Sequence, residues 1–186
     1  MGAEITKKYY CTDENNASCI NKVRRLSVNR LIVPTDLILT RKNNIKSYSL
    51  VLPQEESDSY AKMDKDLLAH ELRLIRADFS QISEQNMMFE NLSPENVMIA
   101  GGKIYIYDYK KLIMSSDEEY ARTFNNVKLN ELFGHSLLVS EYPHKDRFNL
   151  FDKFYTQFLE TNNDYFEDFL EKEVKEKTLE RHFFKG

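Results

Sequence analysis

The stretch Phe89-Glu90-Asn91-Leu92-Ser93-Pro94-Glu95-Asn96-Val97-Met98, with Tyr107-Asp108-Tyr109 a short way on, decides how this chain reads. Its polar middle, from Asn91 to Asn96, separates a helical pattern upstream from a strand-turn-strand pattern downstream. The plain alternative is a polar loop, with Ser93-Pro94 opening a turn and Asp108 ending a strand as a turn or cap residue.

Upstream of that stretch, Leu67, Leu68, Leu72, Ile75 and Phe79 recur at helical spacing and predict a helix over 63–82. Downstream, apolar runs at 97–99 and 104–107 flank Gly101-Gly102. Two adjacent glycines supply the positive φ of a tight turn, so this is a hairpin. Nearer the start, residues 5–11 form a short strand candidate, and 13–16 offer capping side chains. Ile20, Val23 and Leu26 then space a helix over 17–26. Segments 31–40 and 45–52 flank Asn43-Asn44 and predict another hairpin, ended by Pro53 and the polar run 54–59. The remainder patterns as helices over 126–139, 147–159 and 164–177. The order is β, α, hairpin, α, hairpin, then helices, which is an α+β class.

The segment 89–109 resembles the catalytic loop and metal-binding strand of the protein-kinase superfamily, which read His-Arg-Asp-Leu-x-x-x-Asn and Asp-Phe-Gly. The variant Asp-Leu-Ser-Pro-Glu-Asn-Ile, common among bacterial kinase-like proteins, here reads Asn-Leu-Ser-Pro-Glu-Asn-Val. The resemblance implies a protein-kinase-like fold with a truncated, β-rich N-lobe over 1–53 and a mostly helical C-lobe over 54–186. Asn96 and Asp108 match the two positions that hold magnesium through oxygen. Asn91 stands where the family's catalytic aspartate stands. An amide neither accepts the attacking hydroxyl's proton nor brings a negative charge to position it. Tyr109-Lys110 also replaces the usual Phe-Gly, and no Ala-Pro-Glu segment follows.

On the same resemblance, Lys7 (or Lys8) takes the place of the phosphate-pairing lysine. Val51, Leu52 and Pro53 would face an adenine, with Met98 as the floor. The helix that normally supplies the lysine's glutamate partner offers Asn21 and Lys22 in its interior and Glu14 near its start. Only six residues of this sequence precede Lys7, too few for a Gly-x-Gly-x-x-Gly loop, so a nucleotide here would lack its phosphate lid unless the protein extends further.

Composition bounds the rest. A chain of 186 residues makes one domain or one compact unit of two small lobes, and 41% apolar content suits a globular protein. The 26 basic and 30 acidic residues nearly balance and form no basic stripe, which excludes a nucleic-acid partner. Alternating Glu and Lys over 167–177 mark a solvated helix face. Cys11 and Cys19 read as ordinary reduced thiols. His70, His135, His144 and His182 lack metal-type spacing, and Met87-Met88-Phe89 reads as core. No apolar run approaches the roughly 18 residues of a membrane span, and no signal peptide opens the chain, which points to the cytoplasm.

The expectation is a catalytically impaired kinase-like protein, a pseudokinase, that binds or regulates an unidentified protein partner. ATP and Mg2+ are the implied cofactors, with a vestigial pocket that takes none as the other outcome. Two alternatives stand beside it. One is a minimal Mg-ATP-dependent phosphotransferase with an unconventional base. The other is a soluble kinase-like component of a secretion or membrane-associated assembly.

Overall fold

Ile5, Thr6, Tyr9 and Tyr10 give the first segment its extended preference. The computed structural model describes residues 3–39, 46–54, 65–134 and 155–172, and in it Glu4–Tyr10 is strand β1. β2 (Asp36–Leu39) and β1 both pair antiparallel with β3 (Lys46–Pro53), giving a sheet ordered β1-β3-β2. The register sets Ile5 opposite Leu52, Lys7 opposite Leu50 and Tyr9 opposite Tyr48. Side chains two apart share a face, so Lys7 sits on the inner face with the buried Tyr48, Leu50 and Leu52. Lys8 takes the outer face, with its ammonium 5.5 Å from the centre of the Tyr10 ring. The turn expected at Asn43-Asn44 lies outside the described residues.

Helix α1 spans Glu14–Val23 and starts earlier than the apolar spacing predicts, because the Asp13 carboxylate caps it by accepting the Asn16 N–H at 2.8 Å. Ala17, Ile20 and Val23 form its buried stripe. Helix α2, Lys65–Glu84, buries Leu68, Leu72, Ile75, Phe79 and Ile82, while Leu67 faces solvent. The expected start of that helix at 63 falls outside the described residues. Asn86 ends the following turn in the left-handed region, φ 56.

Four short strands come next: β4 (Met87–Phe89), β5 (Val97–Ala100), β6 (Lys103–Ile106) and β7 (Leu112–Met114). β5 and β6 form the expected hairpin, with Gly101 and Gly102 at φ +57 and +71. β4 pairs with β7, a pairing that periodicity did not reveal. Helix α3 runs Glu118–Leu132, well ahead of the expected start at 126, because Asp117 caps it through the Tyr120 N–H at 2.8 Å. Residues 155–159 and 166–172 are helical, inside the stretches expected to be so. The parts of those stretches over 135–154 and 173–177 are outside the described residues.

One hydrophobic cluster runs from Cys19 and Ile20 through Tyr48, Leu72, Phe89 and Tyr109 to Phe158 and Leu170. Between α1 and β2, the segment 29–32 ties the sheet to the helical part. The Asp78 carboxylate of α2 accepts the backbone N–H of Asn29, Arg30 and Leu31 at 2.8, 2.6 and 3.1 Å. Ile32 N–H donates to Ile106 O, and Ile106 N–H to Arg30 O, both at 2.9 Å.

Candidate functional site

β4 delivers the chain to Glu90, whose N–H donates to Lys111 O at 2.8 Å and closes the base of the loop. The loop then passes through Asn91 and a single 3-10 turn, Pro94–Asn96, before entering β5. Asn96 is nearly buried, and its Oδ1 accepts the Ser93 hydroxyl at 2.8 Å. Its carbonyl accepts the Tyr107 N–H at 3.1 Å. That bond sets Asp108 one residue beyond the backbone partner of Asn96.

Asp108 is half-buried. Its Oδ1 accepts the Lys110 N–H at 2.9 Å, and its Oδ2 has no hydrogen bond among the described residues. The Asn91 side chain is exposed at the mouth of the loop.

On the inner face of the sheet, Tyr9 and Tyr48 feel the charge of Asp108. Lys7 is exposed there and has no ion pair among the described residues. Glu14, the acidic residue at the start of α1, pairs with Lys46 at 3.0 Å instead. Two asparagines hold α1 to the segment after Asp108. The buried Asn16 amide donates to Tyr109 O at 2.7 Å and Leu112 O at 2.9 Å, and Asn15 Oδ1 accepts the Met114 N–H at 3.0 Å. Sequence reasoning placed Asn16 among capping side chains and missed this role. The signal was present, since Asn16 lies on the same helical stripe as Ile20 and Val23.

Under the sheet a run of rings connects β1 to α2. Tyr9 stacks on Tyr48 with centroids 5.6 Å apart, and Tyr48 meets Tyr109 edge-on at 6.3 Å. Tyr109 then touches Phe89 at 6.1 Å, and Phe89 touches Phe79 at 4.9 Å. The Tyr109 hydroxyl donates to Ile32 O at 2.7 Å. Among the described residues, the buried Tyr48 hydroxyl has no hydrogen-bond acceptor. Burial, then the negative charge of Asp108, push the Tyr48 and Tyr9 phenols above their ordinary range.

The predicted adenine-facing residues divide. Leu52 lies on the inner face and is buried, whereas Val51 is half-buried on the opposite face. Met98 is buried in β5 opposite Tyr105. A cavity of about 430 Å3 lies elsewhere, between α2, α3 and residues 165–168. Its arginines are already paired: Arg73 with Asp168 and Glu171, Arg76 with Glu167, and Arg122 with Glu118.

No family model matches the sequence, and no curated protein matches it. Among solved structures, the kinase PK-1 of Cydia pomonella granulovirus aligns with a TM-score of 0.55 at 10% identity, covering 81% of this chain and 66% of that one. The fold is protein-kinase-like. The chain thus spans just under two thirds of that viral kinase's length.

In a kinase-like fold, magnesium is held jointly by protein oxygens and nucleotide phosphates. Asn96 Oδ1 and the Asp108 carboxylate fit that chemistry, because an amide oxygen and one carboxylate suit a cation that takes its remaining ligands from phosphate and water. Among the described residues, no group of three or more His, Cys, Asp and Glu is arranged to hold a metal by protein alone. No helix among them is long and apolar enough to cross a membrane.

Proposed function

We propose that this kinase-like protein binds a magnesium nucleotide at Asn96 and Asp108, does not transfer its phosphate efficiently, and serves as a binding or regulatory module for a protein partner. The observation that carries this reading is the pairing of a retained Asn96–Asp108 site with an exposed amide, Asn91, where a proton-accepting carboxylate would stand. The bound cation would neutralise phosphate charge and orient the nucleotide. Lys7, on the inner face and without an ion-pair partner among the described residues, would meet the phosphates, with Leu52 and Met98 against the base. The division into a reduced N-lobe over 1–53 and a helical C-lobe over 54–186 belongs to the same proposal.

Thermal unfolding with ADP and MgCl2 tests the binding, and labelled ATP tests the transfer. A nucleotide at about 100 times its dissociation constant stabilises by about 2.7 kcal/mol, which is several degrees in a chain of this size. The expected result is a magnesium-dependent shift that Asp108→Ala abolishes, with no labelled phosphate on the protein itself or on a general substrate. Transfer by the wild type, abolished by Asp108→Ala, would overturn the reading. The presence of both Asn96 and Asp108 also supports the second reading, a minimal phosphotransferase. That reading requires measurable turnover which Asn91→Asp raises, and silence from both proteins removes it.

A further inference from the structure

Strand β1 presents an open edge. Among the described residues it pairs with β3 alone, and all of it except Tyr9 is exposed. The direction of its amides follows from the two ends of that pairing. Cys11 N–H donates to Lys46 O at 2.8 Å, and Ala3 O accepts the Gln54 N–H at 3.0 Å. Odd-numbered residues therefore turn their N–H and C=O groups toward β3. The same groups of Glu4, Thr6, Lys8 and Tyr10 point the other way, and none bonds to another described residue. The inner face gives the edge no cover either, since Ile5 there is 52% exposed.

Lysines on an edge strand ordinarily keep a further strand away, and β1 carries Lys7 and Lys8. Their effect depends on register when the incoming strand is a second copy of β1. An antiparallel pair of identical strands has a two-fold axis, and here only even-numbered residues can exchange hydrogen bonds across it. Centred on Thr6, the pair sets Glu4 opposite Lys8 at both ends and Thr6 opposite itself. Ile5 then lies opposite Lys7, whose aliphatic stem covers it. Centred on Lys7 or on Lys8, a lysine faces its own copy. Centred on Ile5, Glu4 meets Thr6 and no opposite charges face each other. Charge thus selects one register over its neighbours. Glu4 has no ion pair among the described residues, and the Lys8 ammonium rests on the Tyr10 ring alone, so both can turn to the new pairs.

We propose that β1 is a homodimer interface, where two copies join their sheets edge to edge about a two-fold axis at Thr6. The product is one continuous sheet ordered β2-β3-β1-β1-β3-β2. This goes beyond the magnesium-nucleotide reading and does not rest on it. A single strand pair buries little surface, so the dimer is weak and forms as concentration rises.

The test is sedimentation velocity from dilute protein up to about 1 mM, where weak dimers assemble. The wild type should pass from monomer to dimer over that range. Thr6→Pro deletes an N–H that faces away from β3, a place where an edge strand accepts proline, and should stay monomeric. Lys8→Glu sets carboxylates opposite each other at both ends and should raise the dimer dissociation constant at least about tenfold. The double variant, Glu4→Lys with Lys8→Glu, should restore the wild-type value. Glu4 and Lys8 are exposed, so the charge variants keep the fold, as circular dichroism checks, and they decide the matter should the proline unfold β1. A wild type that is monomeric throughout overturns the inference, and the edge then belongs to another segment or another protein. A dimer that folded Thr6→Pro or Lys8→Glu leaves intact overturns it too. So does a double variant as weak as Lys8→Glu alone, because the register about Thr6 is then wrong.

Discussion

Asn16 fills three of the four hydrogen-bonding positions of its amide. Nδ2 donates to Tyr109 O and Leu112 O, and Oδ1 accepts the Thr12 N–H at 3.2 Å. Truncation to alanine leaves two carbonyls without their donors in a buried place, at about 1–3 kcal/mol for each unsatisfied group. Asn16→Ala should therefore lower stability by about 2–4 kcal/mol in urea unfolding. Asn16→Asp should cost more, because a carboxylate would face two carbonyl oxygens. A value for Asn16→Ala within about 0.5 kcal/mol of wild type, the usual range of a surface change, would show that the amide ties nothing together. The thiols make a second residue-scale test. Burial pushes Cys19 up to about 11 and Cys11 upward too, so at pH 8 neither is appreciably thiolate. Cys19 should react with a disulfide reagent only on unfolding, and Cys11 slowly; rapid labelling of Cys19 in the folded protein would contradict its burial. At this scale the sequence was half legible. The spacing of Asn96 and Asp108 could be read along the chain, and the choice between Lys7 and Lys8 could not, because strand register decides which face each takes.

The elements differ in how much of their cause is local. The β5–β6 hairpin was legible because its turn chemistry sits in two consecutive residues. Gly101 and Gly102 are both at positive φ, and a Cβ on either would meet nothing within 4 Å. Substitution there thus carries a conformational cost and no steric one. Gly101→Asn should stay within about 0.5 kcal/mol of wild type, since asparagine tolerates the left-handed region, while Gly101→Val should lose about 1–2 kcal/mol. Equal losses from the two would mean that crowding, and not φ, governs the turn. β4 and β7 were illegible for the opposite reason. Three residues each, Met87–Phe89 and Leu112–Met114, are too few to display an alternation. Met87 to Phe89 are all buried, so they read as core without revealing a strand. α3 was misplaced at its start because its first turn, Glu118 to Ala121, is largely acidic and exposed. There the Asp117 cap was the better guide than the apolar stripe.

For the molecule as a whole, the sheet and the helical part depend on one polar junction that no local pattern announces. Segment 29–32 is an irregular connection in sequence, and only the fold brings Asp78, Glu71 and Ile106 to it. Arg30 forks onto Glu71, with Nη2 to Oε1 at 2.8 Å, and Glu71 Oε2 also accepts the Ile104 N–H at 3.1 Å. Burial pushes the Glu71 carboxyl up, but the Arg30 hydrogen bonds, the Ile104 N–H and the Arg30 charge outweigh it and hold it below its ordinary 4.5. The sign of the linkage follows. As pH falls, the unfolded chain takes up this proton before the folded one does. The contribution is complete above about pH 4.5 and disappears as pH drops through the folded value. Glu71→Gln removes that dependence and leaves the Arg30 guanidinium, 12% exposed, without its carboxylate. At pH 7 the variant should be less stable by about 3 kcal/mol. Its stability should then fall less steeply than wild type between about pH 5 and pH 3, so that the two curves converge in acid. Urea unfolding at several pH values measures both. Parallel curves would mean that Glu71 titrates alike in the folded and unfolded chain, and the junction would then hold chiefly through Asp78, the Ile106 backbone bonds to Arg30 and Ile32, and the Tyr109 hydroxyl on Ile32 O.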